Sequence, residues 1–362
     1  MSFVYFVTPG GKGAKGGIGR MVNYIVRSWK NPTFDLHVID TYGPGPKWQM
    51  PIYCLFALLE VFGALLRKRV SLLHVHVSER LSFPRKGLFL ALAKSFRVPV
   101  VMHLHGADFC DWYRALSPTR QMRVAAMLKR CERIICLGEF WRSFVVEEIG
   151  IQAERIDVLH NAVPWPKIVL KRTSSPVCRF LFLGVVGERK GVPTLLDALA
   201  APALRDASWH CVFAGNGGVA AAQQRATVLG LADRTTFLGW INEEEARRQL
   251  AQADVMVLPS RNEGLPMAIL EAMSFGCAVV ATPVGAITDA IHDGETGLIV
   301  PVGESAALAE ALAQLVASPD LRATLGANAQ AAFAREYEIT GYNKKLCAVY
   351  RNALSEVFGV LN

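Results

Sequence analysis

Short apolar runs alternate with longer stretches of helical spacing along this chain, and that alternation restricts its fold more than any other feature. In the first half, Ser2–Val7, Phe34–Asp40, Ser71–Val77, Val98–His105, Arg133–Cys136 and Ile156–Leu159 read as strands. A segment rich in proline, serine and lysine, Val163–Pro176, then interrupts the pattern. The pattern restarts with strands at Arg179–Gly184, Trp209–Gly215, Thr236–Leu238, Val255–Pro259, Ala278–Ala281 and Gly297–Val300. Strands that alternate with helices build parallel, doubly wound α/β sheets buried on both faces. The sequence therefore predicts two Rossmann-like domains, 1–168 and 169–340, facing across a cleft at the C-terminal ends of their strands. A last helical pattern, Asn343–Phe358, ends the chain.

A length of 362 residues suits two domains with ample core, and the high aliphatic content argues against disorder. None of the eight cysteines forms a C-x-x-C pair, so they read as reduced thiols of a cytosolic protein, although Cys131 and Cys136 are close enough in sequence to pair. The N-terminal MSFVYFVTPGG lacks the basic and apolar regions of a signal peptide. The most apolar helix, Pro51–Leu66, is short and interrupted by Glu60, which argues against a membrane span. Charge is uneven: residues 1–168 hold 23 Lys/Arg against 12 Asp/Glu, while the whole chain is +8. A basic first half suits an anionic membrane surface or a pyrophosphate-linked lipid as readily as it forms a solvated face. No nucleic-acid motif accompanies it, so nucleic acid is not expected as a partner. The cations Arg114, Arg120, Arg123, Lys129 and Arg130 leave the same choice open between a solvated face and an acceptor or membrane surface.

Chemistry concentrates in VLPSRNEGLPMAILEAMSFGCAVVAT, from Val257 to Thr282. An apolar run ends at Pro259, a polar turn follows, and Leu265–Phe275 has helical spacing before Gly276 closes it. A helix start leaves backbone N–H groups unpaired at the positive end of the macrodipole, so Gly264, Leu265, Pro266 and Met267 read as a phosphate or sugar cradle. Glu263 stands before that cradle and Glu271 lies about 10 Å along the helix. Two acceptors at that separation suit a nucleotide-sugar, one for sugar hydroxyls and one for ribose. The same spacing argues against a retaining glycoside hydrolase, whose carboxyl groups stand about 5 Å apart.

The first turn, TPGGKGAKGGIGR, contains Gly11-Lys-Gly13-Ala-Lys-Gly16, a formal G-x-G-x-x-G, with Asp40 ending the next strand. That pattern supports a nicotinamide-dependent oxidoreductase as the rival reading. Three residues intervene between strand and fingerprint, however, and no Gly-Lys-Ser/Thr makes it a Walker loop. Two histidine pairs follow, His74-Val-His76 and His103-Leu-His105, each directed to one face of its strand. Four imidazoles on neighbouring strands raise the question of zinc, but no cysteine or carboxylate pattern completes a site, and no metal or cofactor is expected.

These motifs together resemble retaining GT-B glycosyltransferases of family four. The resemblance rests on the E-x7-E pair Glu263–Glu271 and on Ala272–Ala281, Gly285–Ile291 and Asp293–Val300, and it extends weakly over nearly the whole chain. It also takes in Pro99-Val-Val-Met-His-Leu-His105-Gly106-Ala-Asp108, and it implies that His105 contacts the donor sugar near the reacting carbon. Phe182–Gly191 resembles the family's G-R-L-x-x-x-K-G, and implies that Lys190 neutralises the departing diphosphate. The family's arginine position holds Val185, a departure that leaves Arg189, one residue before the lysine, as a candidate source of that charge from a different direction. Gly16-Gly17-Ile18-Gly19 resembles the loop that approaches donor phosphate and acceptor, and Ala214–Gly218 the turn where Gly215 meets the nucleotide. The resemblance further implies that residues 341–362 cross back onto the first domain.

The resulting expectation is a retaining, metal-independent hexosyltransferase. It would take a UDP- or GDP-sugar as co-substrate and a saccharide or lipid-linked saccharide as acceptor, in the synthesis of surface polysaccharide. The alternatives are the oxidoreductase and a non-catalytic nucleotide-sugar-binding protein, the latter because of Val185.

Overall fold

The computed structural model describes residues 2–10, 16–43, 45–166 and 176–359. The chain divides into two compact units, Met1–Pro164 with Ile339–Asn362, and Trp165–Glu338. Unit 1 contains strands β1 (Ser2–Thr8), β2 (Phe34–Asp40), β3 (Leu72–Val77), β4 (Val100–Leu104), β5 (Arg133–Cys136) and β6 (Ile156–Val158). Its helices are α1 (Gly17–Ser28), α2 (Met50–Leu66), α3 (Ser82–Ser95), α4 (Phe109–Arg114), α5 (Pro118–Lys129) and α6 (Glu139–Glu147). Unit 2 contains β7 (Cys178–Leu183), β8 (Trp209–Ala214), β9 (Thr235–Gly239), β10 (Val255–Leu258), β11 (Ala278–Ala281) and β12 (Leu298–Ile299). Its helices are α7 (Val192–Leu199), α8 (Val219–Val228), α9 (Glu243–Gln252), α10 (Met267–Ser274), α11 (Ile287–Ala290), α12 (Ser305–Ala317) and α13 (Pro319–Glu336). The last helix, α14 (Ile339–Phe358), belongs to unit 1.

Every strand pairing is parallel, and the anticipated strands appear within a residue or two of their predicted ends. The unit 1 sheet runs β2-β1-β3-β4-β5-β6 and the unit 2 sheet β12-β11-β10-β7-β8-β9. Counted from its own first strand, unit 2 has the order 3-2-1-4-5-6 of dinucleotide-binding sheets, and unit 1 the 2-1-3-4 start of flavodoxin-like ones. In both, the winding direction reverses between two neighbours, β1 and β3 in unit 1, β7 and β10 in unit 2. A parallel sheet opens a crevice at the carboxyl ends of such a pair, because the loops leaving them diverge to opposite faces.

Both sheets are dry. Val4, Phe6, Val7, Leu72, Leu73, Val75 and Val77 are wholly or nearly inaccessible in unit 1, as are Phe180, Phe182, Phe213 and Val255–Leu258 in unit 2. At about 25 cal/mol per Å² of apolar surface removed from water, such strands supply the main stabilisation of each unit. Helix starts follow local chemistry. Asn242 caps α9 by accepting from Glu245 N at 2.8 Å, and Ser318 caps α13 by accepting from Leu321 N at 3.2 Å. All eight cysteines are buried and unbridged, Cys131 and Cys136 included.

α14 is tied into unit 1 at both ends of its buried face. Ile339 N donates to Val163 O at 3.1 Å, and the Tyr350 hydroxyl meets His74 Nδ1 at 2.7 Å. Nothing local in the sequence predicts a hydrogen bond between residues so far apart.

Candidate functional site

In unit 2 the reversal between β7 and β10 brings together the loops at 184–191 and 259–264. Val255 and Met256 of β10 pair with Phe180 and Leu181 of β7, so the two loops leave the sheet side by side. Their contact is tight: Gly191 has φ 71°, and a Cβ there would stand 1.9 Å from Pro259 O. A larger residue would force the loops apart. Arg261 N donates to Arg189 O at 2.8 Å, completing the junction.

Held this way, Lys190 Nζ lies 2.5 Å from Glu263 Oε1, and Ser260 Oγ donates to the same oxygen at 2.7 Å. Arg189 Nη1 stands 3.8 Å from Glu263 Oε2 and donates to Asn262 O at 2.9 Å. Two cations therefore converge on one carboxylate that is only 5 % exposed. The sequence placed Glu263 ahead of the helix start, and the structure adds its direct contact with Lys190. Ser260 Oγ and the two cations satisfy the carboxylate and make its burial tolerable.

The helix beyond differs from expectation. It begins at Met267, with Pro266 as its cap in an extended conformation (ψ 125°), rather than at Leu265. Proline disfavours the helical region for the residue before it, which holds Leu265 out of the first turn. Gly264 O accepts from Ala286 N at 2.9 Å, fixing the turn against the loop after β11. Glu271 sits inside α10 at 8 % exposure, and Met267 and Leu265 are buried. Gly215 adopts φ 154°, and a Cβ there would stand 1.7 Å from Gly184 O. Close passage of the two main chains is enough to require glycine there. Val185, at the family's arginine position, is half exposed, and the nearby Arg189 stands beside the Glu263 carboxylate.

In unit 1 the anticipated residues lie at the carboxyl end of the sheet but form a different kind of group. Gly16 caps α1 with φ 136°, Gly17 begins the helix, and nothing lies within 4 Å of where a Cβ on either would stand. The remainder of the glycine-rich loop, Gly11–Lys15, lies outside the described residues. Asp40, the residue an oxidoreductase would need for ribose, instead uses Oδ1 to accept from Gly10 N, Tyr42 N and Gly43 N at 2.8, 2.8 and 3.1 Å. It is a loop anchor, which disfavours the dinucleotide reading.

His105 follows β4 and is partly exposed. Its Nε2 lies 2.8 Å from His76 Nδ1, and its ring centroid 3.9 Å from that of His103. His74 Nε2 meets His103 Nδ1 at 3.2 Å, so the four imidazoles form one packed group. Burial drives all four downward: His105 falls to about 3, and His74, His76 and His103 lie well below 6.5, with the neighbouring rings adding to the effect. These are neutral imidazoles at pH 7, able to hydrogen-bond but poor at holding a proton.

His74, His76 and His103 each place a ring nitrogen within 4.8 Å of the others, a spacing that invites a metal. The donor set fits one badly. The His74 and His76 rings stack at 4.3 Å with planes 18° apart, so their in-plane lone pairs run side by side. His74 has both nitrogens engaged, by Tyr350 and His103. The fully buried Lys86, whose Nζ donates to Thr41 Oγ1 at 2.7 Å, further depresses His76.

Two neighbours of His105 take their place only in the folded chain. His76 orients His105 directly, and only the topology of neighbouring strands reveals it. Glu79, after β3, has a buried Oε2 without a partner among the described residues, and it leans over Gly106, where an added Cβ would meet that oxygen at 2.1 Å. Hollows of about 540 and 460 Å³ lie elsewhere, one at Arg27–Asn31 beside α14, the other at Val177–Leu181 across β7 and β8.

Comparison with known proteins converges on one class. Residues 178–318 match the family model "Glycosyl transferases group 1", and residues 16–162 match "Glycosyl transferase 4-like domain". An alpha-D-kanosaminyltransferase of Streptomyces kanamyceticus is 31% identical over 281 residues, 72% of each chain. A phosphatidyl-myo-inositol mannosyltransferase of Mycobacterium leprae is 34% identical over 173 residues, 47% of this chain and 45% of that protein. Among solved structures, Anabaena HepE in complex with UDP superposes with a TM-score of 0.74 at 18% identity, covering 96% of this chain and 99% of its own. The two parallel six-stranded sheets are those of the GT-B fold.

Proposed function

This chain belongs to the group 1 glycosyltransferases, and from that premise we propose that it moves a hexosyl group, with retention, from a UDP- or GDP-sugar to a saccharide or lipid-linked saccharide. The observation that carries the reading is the convergence of Lys190 and Arg189 on Glu263 at the sheet reversal of unit 2, immediately ahead of α10. A sugar diphosphate arriving there meets two cations. Its negative charge competes with Glu263 for Lys190 and releases the carboxylate toward the sugar hydroxyls. As the glycosidic bond breaks, charge accumulates on the leaving oxygen, and a fixed ammonium stabilises that state more than the ground state. The 169–340 segment is thus the donor side, with Gly215, Gly264, Leu265, Pro266 and Met267 around the nucleotide-sugar and Glu271 on ribose. Gly16 and Gly17 leave space beside the acceptor.

His105 acts as a neutral hydrogen-bond partner for a sugar hydroxyl. With a pKa of about 3 it is too weak a base to deprotonate an acceptor at pH 7. Same-face attack, with the departing phosphate taking the acceptor's proton, needs no protein base and fits that constraint. Two side-chain cations supply the role a divalent ion would fill, so the reading is metal-independent. The HepE complexes with UDP and with UDP-glucose favour UDP as the first donor base to test. The mycobacterial relative's name, a phosphatidyl-myo-inositol mannosyltransferase, favours a lipid-linked acceptor.

The test is a thermal-shift screen of nucleotide-sugars followed by hydrolysis of the hits in chelator. A stabilising nucleotide-sugar that is hydrolysed without added metal, with a raised KM in Glu271→Gln, supports the reading. Stabilisation by NAD alone, or binding with no turnover, sinks it.

A further inference from the structure

Helix α2 has two apolar faces, and unit 1 uses only one of them. Cys54, Ala57, Val61, Ala64 and Leu65 are buried against the unit. Ile52, Leu55, Phe56, Leu59, Phe62 and Leu66 are 49, 56, 64, 55, 41 and 59 % exposed. At 100° per residue those six fall within one arc of about 120°, a stripe about 21 Å long. Glu60, which breaks the apolar run in sequence, lies outside the arc and pairs with His37 at 2.9 Å. Trp48, 71 % exposed, precedes the helix, and exposed Arg67, Lys68 and Arg69 follow it.

Single exposed apolar side chains are ordinary, but a continuous stripe of six marks a surface that something covers. No described helix is long and apolar enough to cross a membrane. We propose that α2 lies in the plane of an anionic lipid bilayer, its outer face sunk among the acyl chains and Arg67, Lys68 and Arg69 on the headgroups. The charge selects this occupant. A second copy would bring the same cations, whereas an anionic headgroup layer complements them, as it does the excess of 23 Lys/Arg over 12 Asp/Glu in residues 1–168. Trp48 beside the stripe suits the zone where hydrocarbon gives way to water. Because α2 follows β2, it starts at the end of the sheet that carries Gly16 and His105. A bilayer held by α2 therefore runs beside the end where an acceptor is handled. This deepens the lipid-linked acceptor of the proposed function, and rests on it for its purpose but not for its test.

The test is flotation of the full chain with phosphatidylcholine vesicles, with and without phosphatidylglycerol. Wild type should float with anionic vesicles and weakly with neutral ones. Phe56→Gln/Leu59→Gln should partition on the order of 50-fold less. Lys68→Gln/Arg69→Gln should lose about 30-fold on anionic vesicles alone, and added salt should mimic it. All four residues are exposed, so far-ultraviolet circular dichroism and donor hydrolysis without vesicles should match wild type. Unchanged flotation of Phe56→Gln/Leu59→Gln overturns the proposal, and so does a vesicle-free dimer that this variant splits, which would make a second copy the occupant. Failure to float with intact hydrolysis sinks this inference alone. Absent hydrolysis with intact flotation sinks the functional reading alone.

Discussion

The two units share six parallel strands and one reversal of winding each, yet they equip that reversal with opposite chemistry. In unit 2, Lys190, Arg189 and Glu263 make a charged cluster held by backbone-tight loops at Gly191 and Pro259. In unit 1, the corresponding end carries four neutral imidazoles packed on one another, one of them hydrogen-bonded to Tyr350, with no carboxylate bonded to them among the described residues. The strand scaffold does not impose this difference, since parallel sheets buried on both faces are equally indifferent to what their loops carry. On the proposed function, charge sits where a diphosphate would be held and released, and neutral hydrogen-bonding groups where a sugar would be oriented without a competing proton transfer.

The sharpest way to break that comparison is to remove the ammonium from unit 2. Lys190→Ala should lower donor turnover by about 10³-fold, the scale for one preorganised group at a developing negative charge. Its kcat should fall more than its KM rises, and steady-state hydrolysis measures both. A loss confined to KM would make Lys190 a ground-state anchor only.

Next in size is acid. The folded pKa values of His74, His76 and His103 lie below that of a free imidazole, so the unfolded chain takes up protons first. Stability is therefore full above about pH 6.5 and is lost progressively as pH falls below it. Hydrogen exchange across that range should show amides of β3 and β4 losing protection before those of β7 and β10. Equal loss in both units would contradict the contrast.

Smaller effects sharpen it. Tyr350→Phe leaves His74 Nδ1 buried without its partner, and should cost about 1–2 kcal/mol in urea unfolding without altering donor KM. Arg189→Gln should reduce turnover about tenfold, the loss of one partly exposed cation. Val185→Arg in that background should restore part of it, because Val185 is half exposed and has room. No restoration would mean that Arg189 does not stand in for the family's arginine.

How much of this was legible follows from where each signal lives. The strands were readable because buried parallel strands leave short, unbroken apolar runs, as in Val255–Leu258 and Ala278–Ala281. Lys190, Glu263 and Glu271 were readable because each lies in one continuous stretch with fixed spacing. The contact of Lys190 with Glu263 was not, since it depends on β10 pairing with β7 across more than seventy positions. The start of α10 moved because Pro266 acts on Leu265, an effect that apolar periodicity does not register. The histidine pairs were readable as residues sharing one strand face, while the link from His76 to His105 needed the adjacency of β3 and β4. The outer face of α2 was hidden because a helix apolar on two sides gives no sign of which side is covered.

The central claim is that unit 2 holds the donor diphosphate on its charged loops. A crystal structure with a bound nucleoside diphosphate tests it most directly. The account predicts phosphate oxygens within hydrogen-bonding distance of Lys190 Nζ, with Glu263 freed from that contact. A diphosphate seated instead at Gly16 and Gly17, with the Lys190–Glu263 pair intact, would contradict it.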